Sequence, residues 1–465
     1  MTQTLEQTIS ATMPRPDVAL EPKPTPAPLA AARSATLMAA LDGLDRANLP
    51  YCVTHGYVGL PDVVGSDVDA VTAPADLAGP VARALINVAP GVTLVQWLDD
   101  RACWGVVAGR PVDGVPPLVQ LHFSPGFEPD GVQCYPAADV LENRHRHNGV
   151  WAIEGKTEFA CVLANRVTKE SLRDKHTSRL SELFAADPSG CEKAINRLWE
   201  GQAADNVLDA ARTGRWNVVH PMLPELDQAL RKRFAGENLF GKWARRIKRW
   251  IRPTSGLHIV FLGPDGVGKS TVIEAVKESL TPAFLHYSYQ TFAPSLIPTP
   301  MQPKKDTPHQ LPPRGLVASW VKAAWWCVCY TAGYYASVRP TVARAGLVIN
   351  HRYLPDAIVD PKRYRYSGPK WILKLLWKVA PKPDLLFALD APADVIQSRK
   401  KEVAPAETAR QRQGYRAVAE HMPNAHVIST DRPLADVVGD VNHIVLQYMA
   451  DRVAKQVGAK SGGSR

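Results

Sequence analysis

Between Gly263 and Thr271 the chain reads GPDGVGKST, which sets Gly263, Gly268, Lys269 and Ser270 in the spacing GxxxxGK[ST]. Glycines at 263, 266 and 268 let successive backbone N–H groups converge on an anion at a helix start, where the helix dipole favours negative charge. The Lys269 ammonium then neutralises the outer phosphates of a nucleotide, and the Ser270 hydroxyl can ligate the Mg²⁺ that accompanies them. Pro264, Asp265, Val267 and Thr271 complete the loop. So short a motif needs its context: the apolar run LHIVFL precedes it and TVIEAVKESL follows with helical periodicity. The reading is strand, phosphate cradle, helix.

A second set is sparser. Asp67 and Asp69 in GSDVD stand at alternate positions of a predicted strand, so both carboxylates lie on one face, as two-metal phosphoryl chemistry requires. Carboxylates beside a turn are also ordinary solubilising residues. The run Arg144-His145-Arg146-His147 lacks carboxylate or thiolate partners and reads as a basic surface loop rather than a metal site.

These residues must be held by elements the pattern predicts. Residues 1–33 are rich in Pro, Ala and Thr, without apolar periodicity, and read as a disordered arm, as does the tail 458–465. Residues 34–135 alternate helix and short strands, a small α+β domain. Residues 136–252 read as a helical connector ending in the basic amphipathic hinge KWARRIKRWIRP, whose Trp243, Ile247 and Trp250 fall on one face. Residues 253–457 form an α/β domain with a parallel sheet flanked by helices, built on HIVFL, GLVIN and DLLFALD and interrupted by a Pro-rich insert at 293–314. The charge-free stretch from Ala323 to Val338 is too short to span a bilayer and reads as a buried helix.

At GPDGVGKST the sequence resembles the thymidylate kinase family of nucleoside-monophosphate kinases. A second family motif, Asp-Arg-aromatic at a strand end, corresponds to His351-Arg352-Tyr353 after GLVIN. The resemblance implies ATP and Mg²⁺ as cofactors, Asp265 on the acceptor's sugar, Arg352 on its phosphate, and Tyr353 and Asp356 beside it. His351 stands where the motif has aspartate, leaving Asp356 or Asp360 to compensate. LPDAIVDPKRYRYSGPKW, PKPDLLFALDAPADVIQSRKKEV and ETARQRQGY carry a narrower likeness, to the subgroup encoded with bacterial surface-polysaccharide biosynthesis. Arg399, Lys400, Arg410 and Arg412 resemble the family's lid, where arginines offset the charge of the phosphoryl group in transit. The Gly-Ser-Asp-Val-Asp segment resembles the nucleotidyltransferase fold, which draws a third carboxylate from a later strand; in VQLHF that position holds His122. The implied metal site, Asp67 with Asp69, is then incomplete.

Composition narrows the partners. With 465 residues, 45% hydrophobic and 22% charged, the chain is an ordinary multidomain globular protein. Its formal charge of +10 calls for an anion. No helix-turn-helix, zinc-finger or RNP pattern is present, so nucleic acid is not expected. The expected partners are a nucleotide and a small phosphorylated or sugar acceptor, with peripheral contact to an anionic membrane through 242–252; no feature specifies an oligomeric state. Seven cysteines without a CxxC pair, and an N-terminus without a signal-peptide pattern, place the expected protein in the cytoplasm. Two alternatives stay open: nucleotidyl transfer by the N-terminal domain, and a non-catalytic ATP-binding assembly or regulatory role in polysaccharide production.

Overall fold

The computed structural model describes residues 26–234, 255–294, 312–401 and 403–458. The basic hinge, most of the Pro-rich insert, the first 25 residues and nearly all of the expected tail lie outside the described residues.

The first unit opens with helix α1 (Ala27–Arg46), followed by β1 (Tyr51–Val53), β2 (Asp67–Thr72), α2 (Gly79–Leu85), β3 (Thr93–Leu98), β4 (Cys103–Ala108) and β5 (Leu118–Ser124). A small pair, β6 (Gly126–Phe127) and β7 (Tyr135–Pro136), leads to α3 (Ala137–Glu142), β8 (His145–His147) and β9 (Val150–Ala152). Helices α4 (Gly155–Thr168), α5 (Asp174–Ala186), α6 (Pro188–Leu198), α7 (Gln202–Thr213) and α8 (Leu223–Arg233) complete it. The sheet order is β3-β4-β5-β2-β1-β9-β8.

Three expectations change here. Helix α1 takes in residues 27–33, expected in the disordered arm, and Arg33 donates to the carbonyls of Gly65 at 2.6 Å and Leu118 at 3.2 Å. The segment expected as a basic loop at 144–147 is a strand: Asn148 and Gly149 take φ of 47° and 84°, the left-handed pair of a two-residue hairpin that folds β8 onto β9. Because β9 pairs with β1 at Val53 and Ala152, the boundary expected at 135 falls inside the sheet. The guanidinium of Arg146 lies over the Trp151 ring at 4.2 Å, a cation–π contact that tolerates a basic strand at the sheet's edge.

In the second unit, β10 (Leu257–Leu262) leads through the glycine loop into α9 (Lys269–Leu280) and then β11 (His286–Thr291). Helix α10 (Leu316–Val328) continues as π turns over Cys329–Val338, followed by α11 (Arg339–Ala343), β12 (Gly346–His351), α12 (Leu354–Val359) and α13 (Lys370–Val379). Then come β13 (Leu385–Asp390), α14 (Ala393–Arg399), α15 (Pro405–Glu420), β14 (Ala425–Ser429) and α16 (Leu434–Val457). All neighbours in the order β11-β12-β10-β13-β14 are parallel. Residues of β10 and β13 are buried throughout, as befits strands covered on both faces. Because β10 has β12 on one side and β13 on the other, its carboxyl end opens onto the crevice where such sheets bind ligands.

The units pack on each other. Val95, Trp104 and Val106 of the first sheet join Val437, Val441 and Val445 of α16 in one apolar cluster that extends to the β10 sheet. Ser255 Oγ donates to Trp97 O at 3.0 Å, and Asn442 Nδ2 to Gly114 O at 2.9 Å. The helix expected to be buried at 323–338 is buried on one side only; Trp325 and Tyr335 remain 53% and 55% exposed. No helix among the described residues is long and apolar enough to cross a membrane.

Candidate functional site

The glycine loop occupies the crevice. Gly263, Gly266 and Gly268 take φ of 147°, 88° and 98°, values that side chains rarely adopt. A Cβ on Gly263 would stand 2.6 Å from Leu389 O, so only glycine lets the loop cross so close to β13. Thr430, beyond β14, clamps it from below: its Oγ1 donates to Val267 O at 2.8 Å and its N–H to Asp390 O at 2.8 Å.

Lys269 lies beneath the loop, 5% exposed, with Nζ donating to the carbonyls of Gly263 at 2.8 Å and Pro264 at 2.7 Å. Burial, with the Arg352 cation nearby, lowers its pKa to about 7 even though Asp265 stands 3.5 Å away. Unfolded lysine titrates near 10.5, so between those values the folded protein binds fewer protons than the unfolded chain. The Lys269 contribution to stability therefore rises from about pH 7 toward pH 10. In the ligand-free protein, Lys269→Met should flatten the pH dependence of Tm across that window. Ser270 and Thr271 are exposed at the first turn of α9, open to a phosphate or a metal.

Opposite the loop stands an arginine pair. Arg352, 5% exposed, directs Nη1 to Asp356 Oδ2 at 2.8 Å and Nη2 to Asp265 Oδ1, while Arg363 Nη1 donates to Asp265 Oδ2. The Asp356 carboxylate is fully buried and also accepts from the hydroxyls of Tyr364 and Tyr415, both at 2.5 Å. Burial alone would raise its pKa; Arg352 and the two phenols outweigh that and hold it below the usual carboxylate range. Asp356, expected at the acceptor, thus faces Arg352 and the tyrosines. Asp360, 3% exposed, accepts from the Arg363 N–H at 3.2 Å.

Tyr353, also expected at the acceptor, points away into the core. It is fully buried, its hydroxyl donates to Pro381 O at 3.0 Å, and Tyr330 packs edge-on against it at 4.7 Å. Residues adjacent on a short segment past a strand end point to opposite sides, and the larger apolar ring takes the inner one. Tyr353→Phe should cost about 1 kcal/mol of stability through the lost hydrogen bond and leave the acceptor KM unchanged.

His351 ends β12 beside the cluster, near the Tyr289 ring at 6.5 Å. Burial, then the Lys269 and Arg352 cations, lower its pKa to about 3, so the imidazole is neutral at ordinary pH. Its buried Nε2 finds no hydrogen-bond partner among the described residues.

The expected lid arginines part company. Arg399 ends α14 with a guanidinium nitrogen 4.0 Å from where a Gly268 Cβ would lie, and donates to Thr430 O at 3.3 Å. Arg410 is clasped by Glu407 through Nε at 2.8 Å and Nη2 at 2.6 Å. Arg412 forms a fork on Asp390 at 2.7 and 3.1 Å, shared with Arg416 at 2.9 Å. Asp390, Arg416 and Arg363 were not singled out as site residues from sequence; the signals were the charged end of an apolar strand and the basic DPKRYR stretch.

In the first unit, Asp69 pairs in register with His122, and Asp67, Asp69 and His122 each offer a ligand atom within 4.8 Å of the others. His55 Nε2 stands 3.4 Å from Asp69 Oδ2. The expected incomplete set therefore has a histidine as its third member. A cavity of about 1180 Å³, lined by Arg33, Ser66 and Gln120 on one side and Glu278, Thr281 and Phe284 on the other, lies between the units, apart from the glycine loop.

A parallel sheet with helices on both faces and a glycine loop feeding a helix at its switch point defines a P-loop phosphate-binding fold. No family model matches the chain. It is similar to a thymidylate kinase of Limosilactobacillus fermentum, 26% identical over 216 residues, spanning 42% of this chain and 98% of that protein. A solved thymidylate kinase of Candida albicans is matched over 43% of this chain and 95% of its own, at 16% identity and a TM-score of 0.32. The sequence likeness supports a nucleotide-kinase-like function.

Proposed function

We propose that the protein is an ATP- and Mg²⁺-dependent phosphotransferase of the thymidylate-kinase-like class, acting on a nucleoside monophosphate or a related phosphorylated or sugar acceptor. The observation that carries this reading is the glycine loop at the sheet's switch point with buried Lys269 beneath it and an arginine pair opposite. The loop suits a nucleotide polyphosphate: its glycines hold positive φ values that side chains rarely adopt, and Ser270 is exposed beside Lys269. When bound, Mg²⁺ supplies charge neutralisation at the phosphates. The loop N–H groups and Lys269 would hold the donor, Asp265 with Arg352 and Arg363 would hold the acceptor, and Arg399 would offset charge near Gly268. Asp356, Tyr364 and Tyr415 fix the Arg352 guanidinium so that little reorganisation is left at the moment of transfer. The subgroup resemblance points to an acceptor in bacterial surface-polysaccharide biosynthesis. ADP release measured with dTMP, other nucleotides and sugar phosphates tests the proposal; no turnover with any of them would overturn it.

A second reading has its own observation, the Asp67, Asp69 and His122 cluster, which suits a divalent cation and supports nucleotidyl transfer by the first unit. Labelled nucleotide incorporation that survives Lys269→Ala but is lost in Asp67→Asn would favour it; incorporation unchanged by Asp67→Asn, or none at all, would dismiss it.

A further inference from the structure

Two neighbouring helices of the second unit leave one side bare, and neither bare side carries acid. On α10, Leu316, Val317, Trp320, Val321, Trp325 and Val328 are exposed at spacings of one helical face, whereas Ala323 and Trp326 enter the core. On α13, Trp371, Leu375 and Val379 recur every fourth residue and are 60%, 52% and 57% exposed, while Leu373 is buried in the same core. Lys370, Lys374 and Lys378 recur with the same period, each just before one of those apolar residues, and all three are exposed. The two helices pack against each other, so they form one layer.

Globular proteins seldom leave apolar surface of this kind uncovered. Its charge narrows what can cover it: residues 312–355 and 361–383 contain no Asp or Glu. A second copy laid on the same face would set lysine against lysine, which disfavours self-pairing. Indoles interleaved with lysines instead match a water–lipid boundary, where Trp sits at headgroup depth and the lysine stem lies along apolar surface with its ammonium at the phosphates.

We propose that the joint face of α10 and α13 docks the protein on an anionic lipid surface. This contact is separate from the hinge at 242–252 and does not depend on the kinase reading. It bears on that reading through one connection: Arg363 and Tyr364, which bond Asp265 and Asp356, lie in the segment between α12 and α13. Docking through α13 therefore sets the acceptor side of the site close to the lipid.

Co-sedimentation of the full chain with phosphatidylcholine vesicles, with and without roughly a third phosphatidylglycerol, tests the proposal. Binding to the anionic vesicles alone is expected, with a blue shift of tryptophan emission and weakening at high salt. Lys370→Glu with Lys374→Glu and Lys378→Glu should weaken partitioning by about a hundredfold, since each lysine at such a surface contributes roughly 1 kcal/mol. Trp371→Ser with Leu375→Ser should abolish the blue shift. All five positions are exposed, and circular dichroism checks that each variant folds. The proposal is overturned if the wild type stays off anionic vesicles, or if binding persists in both variants and is lost when the hinge cations become glutamine. It is equally overturned if the face variants split a solution dimer while vesicle binding is absent.

Discussion

Lys269→Ala is expected to lower kcat by about 10²- to 10³-fold, the range found when one preorganised donor to developing charge is removed. ATP affinity should fall with it. The reason is positional. The ammonium is buried beneath the loop on two loop carbonyls, so no solvent cation can take its place without reopening the loop. In the ligand-free protein burial already strains the charged form, and a phosphate arriving above it would favour the proton again. Calorimetric titration with a non-hydrolysable ATP analogue checks this: proton uptake on binding near pH 7 to 8 is expected from the wild type and should vanish in Lys269→Ala. Unchanged affinity and unchanged proton uptake would place the nucleotide elsewhere.

Asp356→Asn is expected to destabilise the protein by roughly 3 kcal/mol or more, since it removes one partner of a buried ion pair and leaves Arg352 inadequately compensated. For a unit of about 200 residues that corresponds to a fall in Tm on the order of 10 °C, read by thermal denaturation. Tyr415→Phe removes only one neutral hydroxyl from the same carboxylate and should cost about 1 kcal/mol. The contrast separates charge from hydrogen bonding. Acceptor KM should rise in Asp356→Asn because Arg352 loses the group that aims it, while ATP affinity stays near the wild-type value. Equal losses in the two variants would mean that Asp356 acts as packing and not as an anchor for the guanidinium.

Some of this was readable along the chain because the information is local. A glycine loop between an apolar strand and a helix needs only consecutive residues, and the parallel α/β character of the second unit follows from apolar runs alternating with helical periods. The Asn148-Gly149 hairpin was equally local, yet the basic residues around it suggested a loop; cation–π contact with Trp151 is what makes a basic strand acceptable there.

Side-chain direction was not readable. His351, Arg352 and Tyr353 are adjacent, but one ends in an unpartnered buried nitrogen, one in a two-carboxylate clasp and one in the core. Which way each points depends on Asp265 and Pro381, distant in sequence and brought in by other parts of the fold, and on Asp356, only four residues beyond Arg352 but turned toward it by the start of α12. On α15 the two cases divide: Arg410 is taken by Glu407, one turn back on the same helix, whereas Arg412 is taken by Asp390 at the end of β13. Sequence alone determined that this protein carries a P-loop-type glycine loop on a parallel sheet, because backbone conformation and hydrophobic period are set by neighbours. Only the tertiary structure decided which charges meet there, because a buried ion pair is chosen by the partners that folding brings within hydrogen-bond reach.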